Sequence, residues 1–190
     1  MKKLLLGLIL VITLFTFNVK AVELPEKTDH EKVTIYIFRG HGCSHCYDAL
    51  NYFNAHAEEY KDFFEVKAYE VWNTKENDEL KNSVAEYLND TVSGVPYIVV
   101  GSGYSINGFA ESVADEIIEN ALREYQNDEY EDVVAKLAEG KNYKQESLED
   151  ACINEGIVKK HGKYDGIIIT AIFVIVIGGG AAFIAFSRKN

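Results

Sequence analysis

Residues 33–46 read VTIYIFRGHGCSHC. The first six, Val33 to Phe38, are β-branched or aromatic, the composition of a buried strand. Arg39-Gly40-His41-Gly42 follows as a loop with two glycines, and Cys43 stands where that loop ends. From Ser44 to about Tyr60 the residues Tyr47, Leu50, Phe53 and Ala57 recur at steps of three and four, which predicts a helix. The Cys43-x-x-Cys46 pair therefore sits at a helix start with a strand leading into it. It holds two of the chain's three cysteines, the third being Cys152.

This placement has a chemical consequence. Free N–H groups and the dipole at a helix N-terminus stabilise an anion, so Cys43 is expected to ionise more readily than a free thiol. Cys46, inside the helix, is shielded and placed to attack a mixed disulfide formed on Cys43. Spacing by two residues brings both sulfurs to the same end of one helical turn. His45 between them offers a hydrogen bond or a positive charge to the thiolate. Both favour the reduced, ionised state and make the disulfide a better oxidant. His41 is a second source of positive charge, or a solvated loop residue. A structural zinc site requires four ligands. His41, Cys43, His45 and Cys46 fall in one short run that cannot readily wrap a tetrahedron. A purely structural disulfide closing so small a loop constrains the unfolded chain little. A redox centre is the reading these residues favour.

The pattern continues with FFEVKAYEV, 63–71, as a strand and residues 76–89 as a helix with Leu80, Val84, Tyr87 and Leu88 on one side. Ser93-Gly94-Val95-Pro96 is a turn before YIVVG, 97–101, a third strand. Gly101-Ser102-Gly103 marks a hairpin into YSINGF, 104–109, and Glu111 to about Tyr125 forms a helix with Val113, Ile117, Ile118 and Leu122 inward. The order strand, helix, strand, helix, strand, strand, helix predicts an α/β domain with a small mixed sheet and helices on both faces. Residues 127–165 read as a charged helical stalk or a helix lying on the domain. Trp72, at a strand end, reads as packing.

Both chain ends are apolar. Lys2 and Lys3 precede the run Leu4 to Phe17, and Val19-Lys20-Ala21 offers small residues for a signal peptidase, so residues 1–21 read as a signal peptide. Residues 166–186 form 21 residues without charge, enough to span a bilayer core as a transmembrane helix. Arg188 and Lys189 in the 187–190 tail place that tail in the cytoplasm and the domain outside the membrane. Between the two runs lie all 30 acidic residues and 14 of the 19 basic ones, a formal charge of −16. Nucleic acid and anionic lipid headgroups are poor partners for such a surface.

The strand, the Cys-x-x-Cys at a helix start, and Gly94-Val95-Pro96 leading into a strand together resemble the thioredoxin superfamily, over roughly residues 31–126. The resemblance implies a thioredoxin-like three-layer α/β/α domain over 22–126, with Val95–Pro96 in the cis form and Pro96 packed near Cys43. The His before the second cysteine resembles bacterial thiol oxidases. The spacing of fifty residues from Cys46 to Pro96 resembles a minimal thioredoxin or a bacteriocin-transport accessory protein. Ile37 stands where thioredoxins carry a buried acid, and Gly42 where they carry a tryptophan.

These readings converge on a membrane-tethered, extracytoplasmic thiol-disulfide oxidoreductase, with oxidation favoured. Cys43 is the nucleophile, Cys46 the resolving thiol, His45 the tuner of redox balance, and Pro96 with Val95 the substrate-side platform. The dithiol is its own cofactor, and no metal or organic cofactor is implied. Exported cysteine-containing proteins or peptides are the expected partners, with a membrane redox partner to recycle the pair. The alternatives are a reductase fed by such a partner, or an accessory, chaperone-like subunit of a peptide secretion system whose thiols are incidental. Cys152 is a candidate for an intermolecular bridge or a mixed disulfide, or an inert small residue in a helix.

Overall fold

The structure is a computed structural model that describes residues 22, 24–101 and 103–157. The chain divides into two units, Met1–Glu155 and Gly156–Asn190. The expected signal peptide, transmembrane helix and cytoplasmic tail lie outside the described residues. Among the described residues no helix is long and apolar enough to cross a membrane.

Within the first unit the elements are β1 (Val33–Arg39), α1 (Ser44–Tyr60), β2 (Phe64–Glu70), α2 (Lys75–Tyr87), β3 (Tyr97–Val100), β4 (Tyr104–Asn107), α3 (Glu111–Tyr125), α4 (Val133–Ala138), β5 (Gln145–Ser147) and α5 (Leu148–Asn154). The sheet runs β4-β3-β1-β2-β5. β1 is parallel to β2, and every other pairing is antiparallel. The β-branched run Val33–Phe38 is thus the central strand, and it is buried along its whole length.

Side chains alternate across a sheet, so β1 feeds two cores. Tyr36 and Phe38 join Tyr69, Tyr97 and Val99 in one cluster closed by Leu80, Val84 and Ala85 of α2 and Val134 of α4. Phe38 stacks on Tyr69 and Tyr97, at 5.3 and 5.9 Å between ring centroids. Val33, Ile35 and Ile37 point to the opposite face, where α1 and α3 supply Leu50, Phe53, Ile117 and Ile118, all buried.

The helical stripes differ in phase from their sequence reading. On α1 the buried residues are Cys46, Ala49, Leu50, Phe53 and Tyr60, and Tyr47 is exposed. The second cysteine therefore belongs to the apolar stripe itself. On α2 Tyr87 is exposed and Asn77 is buried in the stripe. Asn77 Nδ2 donates to the carbonyls of Glu70 and Lys144, each at 2.9 Å, and its Oδ1 accepts from Lys144 N–H at 2.9 Å.

That amide fastens the chain that leads into β5. Residues 133–155, within the segment read from the sequence as a charged stalk or a helix lying on the domain, supply α4, the edge strand β5 and α5. Leu137 and Tyr143 pack against the α2-side cluster, and Ala151 and Cys152 are buried. The apolar residues of this segment are sparse because they complete a core that other elements began.

Two outcomes follow. Asn77→Ala orphans the Glu70 and Lys144 carbonyls and is expected to cost about 2 kcal/mol in denaturant unfolding. The fold also resists phenolate formation: burial holds the hydroxyls of Tyr60 and Tyr104 up at about 12, and drives Tyr36 and Tyr97 higher still. An unfolded tyrosine ionises near 10, so stability is intact below that pH and declines as pH rises from there to about 12 and beyond. Phenolate absorbance should appear late and together with unfolding.

Candidate active site: a disulfide at a helix start

β1 carries the chain to one end of the sheet, and Gly40–Cys43 turns it into α1. Cys43 N–H closes this turn on the Gly40 carbonyl at 3.2 Å. Gly42 has φ of 76°, a left-handed conformation that glycine adopts without strain. Cys43 is then the N-cap of α1, in extended backbone conformation. Its Sγ takes the place a serine or aspartate oxygen takes in other helices, accepting the Cys46 N–H at 3.2 Å.

Cys43 and Cys46 form a disulfide with Cα atoms 5.2 Å apart. The two sulfurs have unequal surroundings. Cys46 is fully buried, whereas Cys43 is partly exposed. A thiolate arriving from solvent meets Cys43 first. The leading sulfur also lies 3.8 Å from the Val95 carbonyl. Val95–Pro96 is the one cis peptide among the described residues, and Pro96 is buried where the turn enters β3. The structure thus gathers Cys43, Cys46, Val95 and Pro96 at one end of the sheet. His45 is exposed on the first turn of α1.

The loop before Cys43 is held from behind by groups that sequence reading did not single out. Arg39, taken there as loop, is the last residue of β1 and only 1 % exposed. Its register partner on β2 is Glu70, and Glu146 on β5 lies opposite Ala68. Pairing of this kind puts Arg39, Ala68 and Glu146 on one face of the sheet. Ala68 has no side chain beyond Cβ to block the guanidinium as it crosses β2. Arg39 Nε and Nη2 both donate to Glu146 Oε2, at 2.9 and 2.7 Å, and Nη1 donates to Glu155 Oε1 at 2.5 Å.

The side chain of Glu155, at the end of α5, is 5 % exposed and serves the loop with both oxygens. Oε1 also meets His41 Nδ1 at 3.0 Å, and Oε2 accepts the Gly42 N–H at 3.1 Å. Of the two histidines flanking Cys43, His41 is the one that meets a carboxylate. No local pattern could have revealed this, because the carboxylate comes from more than a hundred residues downstream.

Two further placements bear on the sequence reading. Trp72, read as packing, is 59 % exposed and lies over Gly40. Cys152 is 3 % exposed, with Sγ 3.8 Å from the Leu50 carbonyl of α1. In this position it is a small core residue between α5 and α1, out of reach of a second molecule. Among the described residues, no three His, Cys, Asp or Glu side chains are grouped so as to hold a metal ion.

The arrangement is a mixed α/β fold with a disulfide-bonded Cys-x-x-Cys pair at a helix start, compatible with redox chemistry. No protein-family model, curated protein or solved structure matches the chain.

Arg39→Met leaves two carboxylates facing each other without their shared cation. A loss of about 3 kcal/mol in urea unfolding is expected, with part recovered when Glu155→Gln is added. Equal stability of the single and double variants would show that the ion cluster does not operate as one unit.

Proposed function

We propose that this chain is a thiol-disulfide oxidoreductase of the thioredoxin superfamily, held at a membrane with its domain on the outer side and acting on exported cysteine-containing polypeptides. The observation that carries the reading is the asymmetry of the pair. One sulfur is partly exposed at a helix N-cap beside a cis-proline turn, and the other is buried one turn behind it.

The chemistry follows from that asymmetry. A substrate thiolate attacks Cys43 Sγ, the Cys43–Cys46 bond breaks, and Cys46 leaves as thiolate. A second substrate thiolate then attacks the substrate sulfur of the mixed disulfide and releases Cys43. The substrate gives up two electrons and two thiol protons, and the pair becomes a dithiol. Cys43 leaves readily because the Cys46 N–H and the free amides of the first turn of α1 stabilise a negative sulfur. The Val95 backbone, close to the reacting sulfur, suits an extended chain laid alongside it. His45 on the exposed first turn adds positive charge when protonated, which favours the reduced pair and hence oxidation of substrate. The apolar runs at both ends support export and anchoring, and the membrane is where a partner would reoxidise the dithiol.

Equilibration with glutathione redox buffers tests both class and direction. The expected potential is more positive than about −200 mV, in the range of oxidases and isomerases. A value near −270 mV, that of thioredoxin, reverses the direction to reduction. Cys43→Ser is expected to abolish exchange, while Cys46→Ser accumulates a mixed disulfide. Exchange that survives in Cys43→Ser removes the proposed mechanism.

A further inference from the structure

Trp72 is the chain's single tryptophan, and it stands beside the redox loop. It is 59 % exposed, yet its backbone is pinned. Its N–H donates to Glu70 Oε1 at 2.9 Å, and the same oxygen accepts the His41 N–H at 3.3 Å. Asn73 N–H adds a bond of 3.0 Å to Glu70 Oε2. One carboxylate at the end of β2 therefore staples the β2–α2 loop to the loop that carries Cys43.

The indole rests on Gly40. A Cβ built at Gly40 would lie 2.2, 2.3 and 2.6 Å from three carbons of the ring, far inside contact distance. Gly40 is not among the glycines with positive φ, so a side chain is excluded there by the ring and not by the backbone. The Gly40 carbonyl in turn accepts the N–H of Cys43. The ring is thus seated on the residue that closes the turn at the attacked cysteine.

A wide aromatic face held in place but still mostly in water gains apolar contact on binding and loses little freedom, which is why tryptophan dominates binding hot spots. The surrounding charge is net negative. Glu70 caps the loop, Glu76 and Asp78 share the first turn of α2 with Lys75, Asp78 is paired to Lys81, and the segment 22–165 carries −16 overall. Such a setting attracts a basic chain and repels an acidic one.

We propose that Trp72 is a specificity-determining residue that receives an apolar side chain next to the reacting cysteine of a flexible, basic polypeptide. The inference rests on the exchange reading above. While the substrate thiolate attacks Cys43 Sγ and Cys46 leaves as thiolate, the indole holds the substrate chain in place. Glutathione makes the same sulfur–sulfur bond without that contact.

The test uses the full chain in its disulfide form and two reduced thiols: glutathione, and a synthetic peptide with one cysteine flanked by leucine and lysine. The rate constant for loss of the Cys43–Cys46 disulfide is measured with each. Trp72→Ala is expected to lower the peptide-to-glutathione ratio about tenfold, and Trp72→Phe to keep most of it. Exchanging the peptide's lysines for glutamates should lower the ratio in the unaltered chain. In Cys46→Ser joined to the peptide, the single indole's emission should move to the blue as it leaves water. A ratio in Trp72→Ala within about twofold of the unaltered chain, or an emission that does not move, overturns the proposal. If the unaltered chain fails to react with glutathione at all, the exchange reading falls and this inference with it. Normal glutathione reaction with an unmoved ratio overturns the tryptophan's role alone.

Discussion

A buried guanidinium organises the end of this domain that carries the Cys43–Cys46 disulfide. Arg39, at the tip of the central strand, lies between Glu146 of the edge strand and Glu155 at the C-cap of α5, almost wholly out of water. Isolated, a charge so placed is costly, and it is tolerated because its two partners supply fixed, close hydrogen bonds. The cluster joins elements from the two extremes of the unit. Among the described residues β1 is the first element and α5 the last, yet both terminate within one ion-paired group, with the loop before Cys43 clipped to the same carboxylate through His41 and Gly42.

The sheet and the loop depend on each other through this joint. β5 is three residues long and polar, and little in its own sequence favours a strand. Its pairing with β2 carries Glu146 to the face where Arg39 lies. Asn77 steadies the approach to that strand by bonding Lys144 on both its N–H and its carbonyl. The reactive turn is therefore framed on one side by ordinary helix capping at Cys43 and on the other by a long-range polar network.

How much of this was legible in the chain follows from how local each cause is. The run Val33–Phe38, the periodic helices and the Cys43–Cys46 spacing are short-range signals, and the elements they predict are present within a residue or two at most boundaries. The cis bond before Pro96 was implied by resemblance and is present. Arg39 was read as loop because charge at a strand end ordinarily means solvent, and its partners lie 107 and 116 residues away. β5 was missed because its strand character comes from pairing and not from residue preference. Trp72 was read as packing because an apolar ring is ordinarily buried. The signal that reveals its placement is the absent Cβ at Gly40, which is meaningful only once the two loops are seen side by side.

Glu155 is also the last residue of the first unit. The carboxylate that clasps the reactive turn is carried at the point where the polypeptide departs toward its C-terminus. A single side chain thus ties the end of α5 to Arg39, His41 and Gly42 at once, so a displacement of that helix end is passed directly to the turn that presents Cys43.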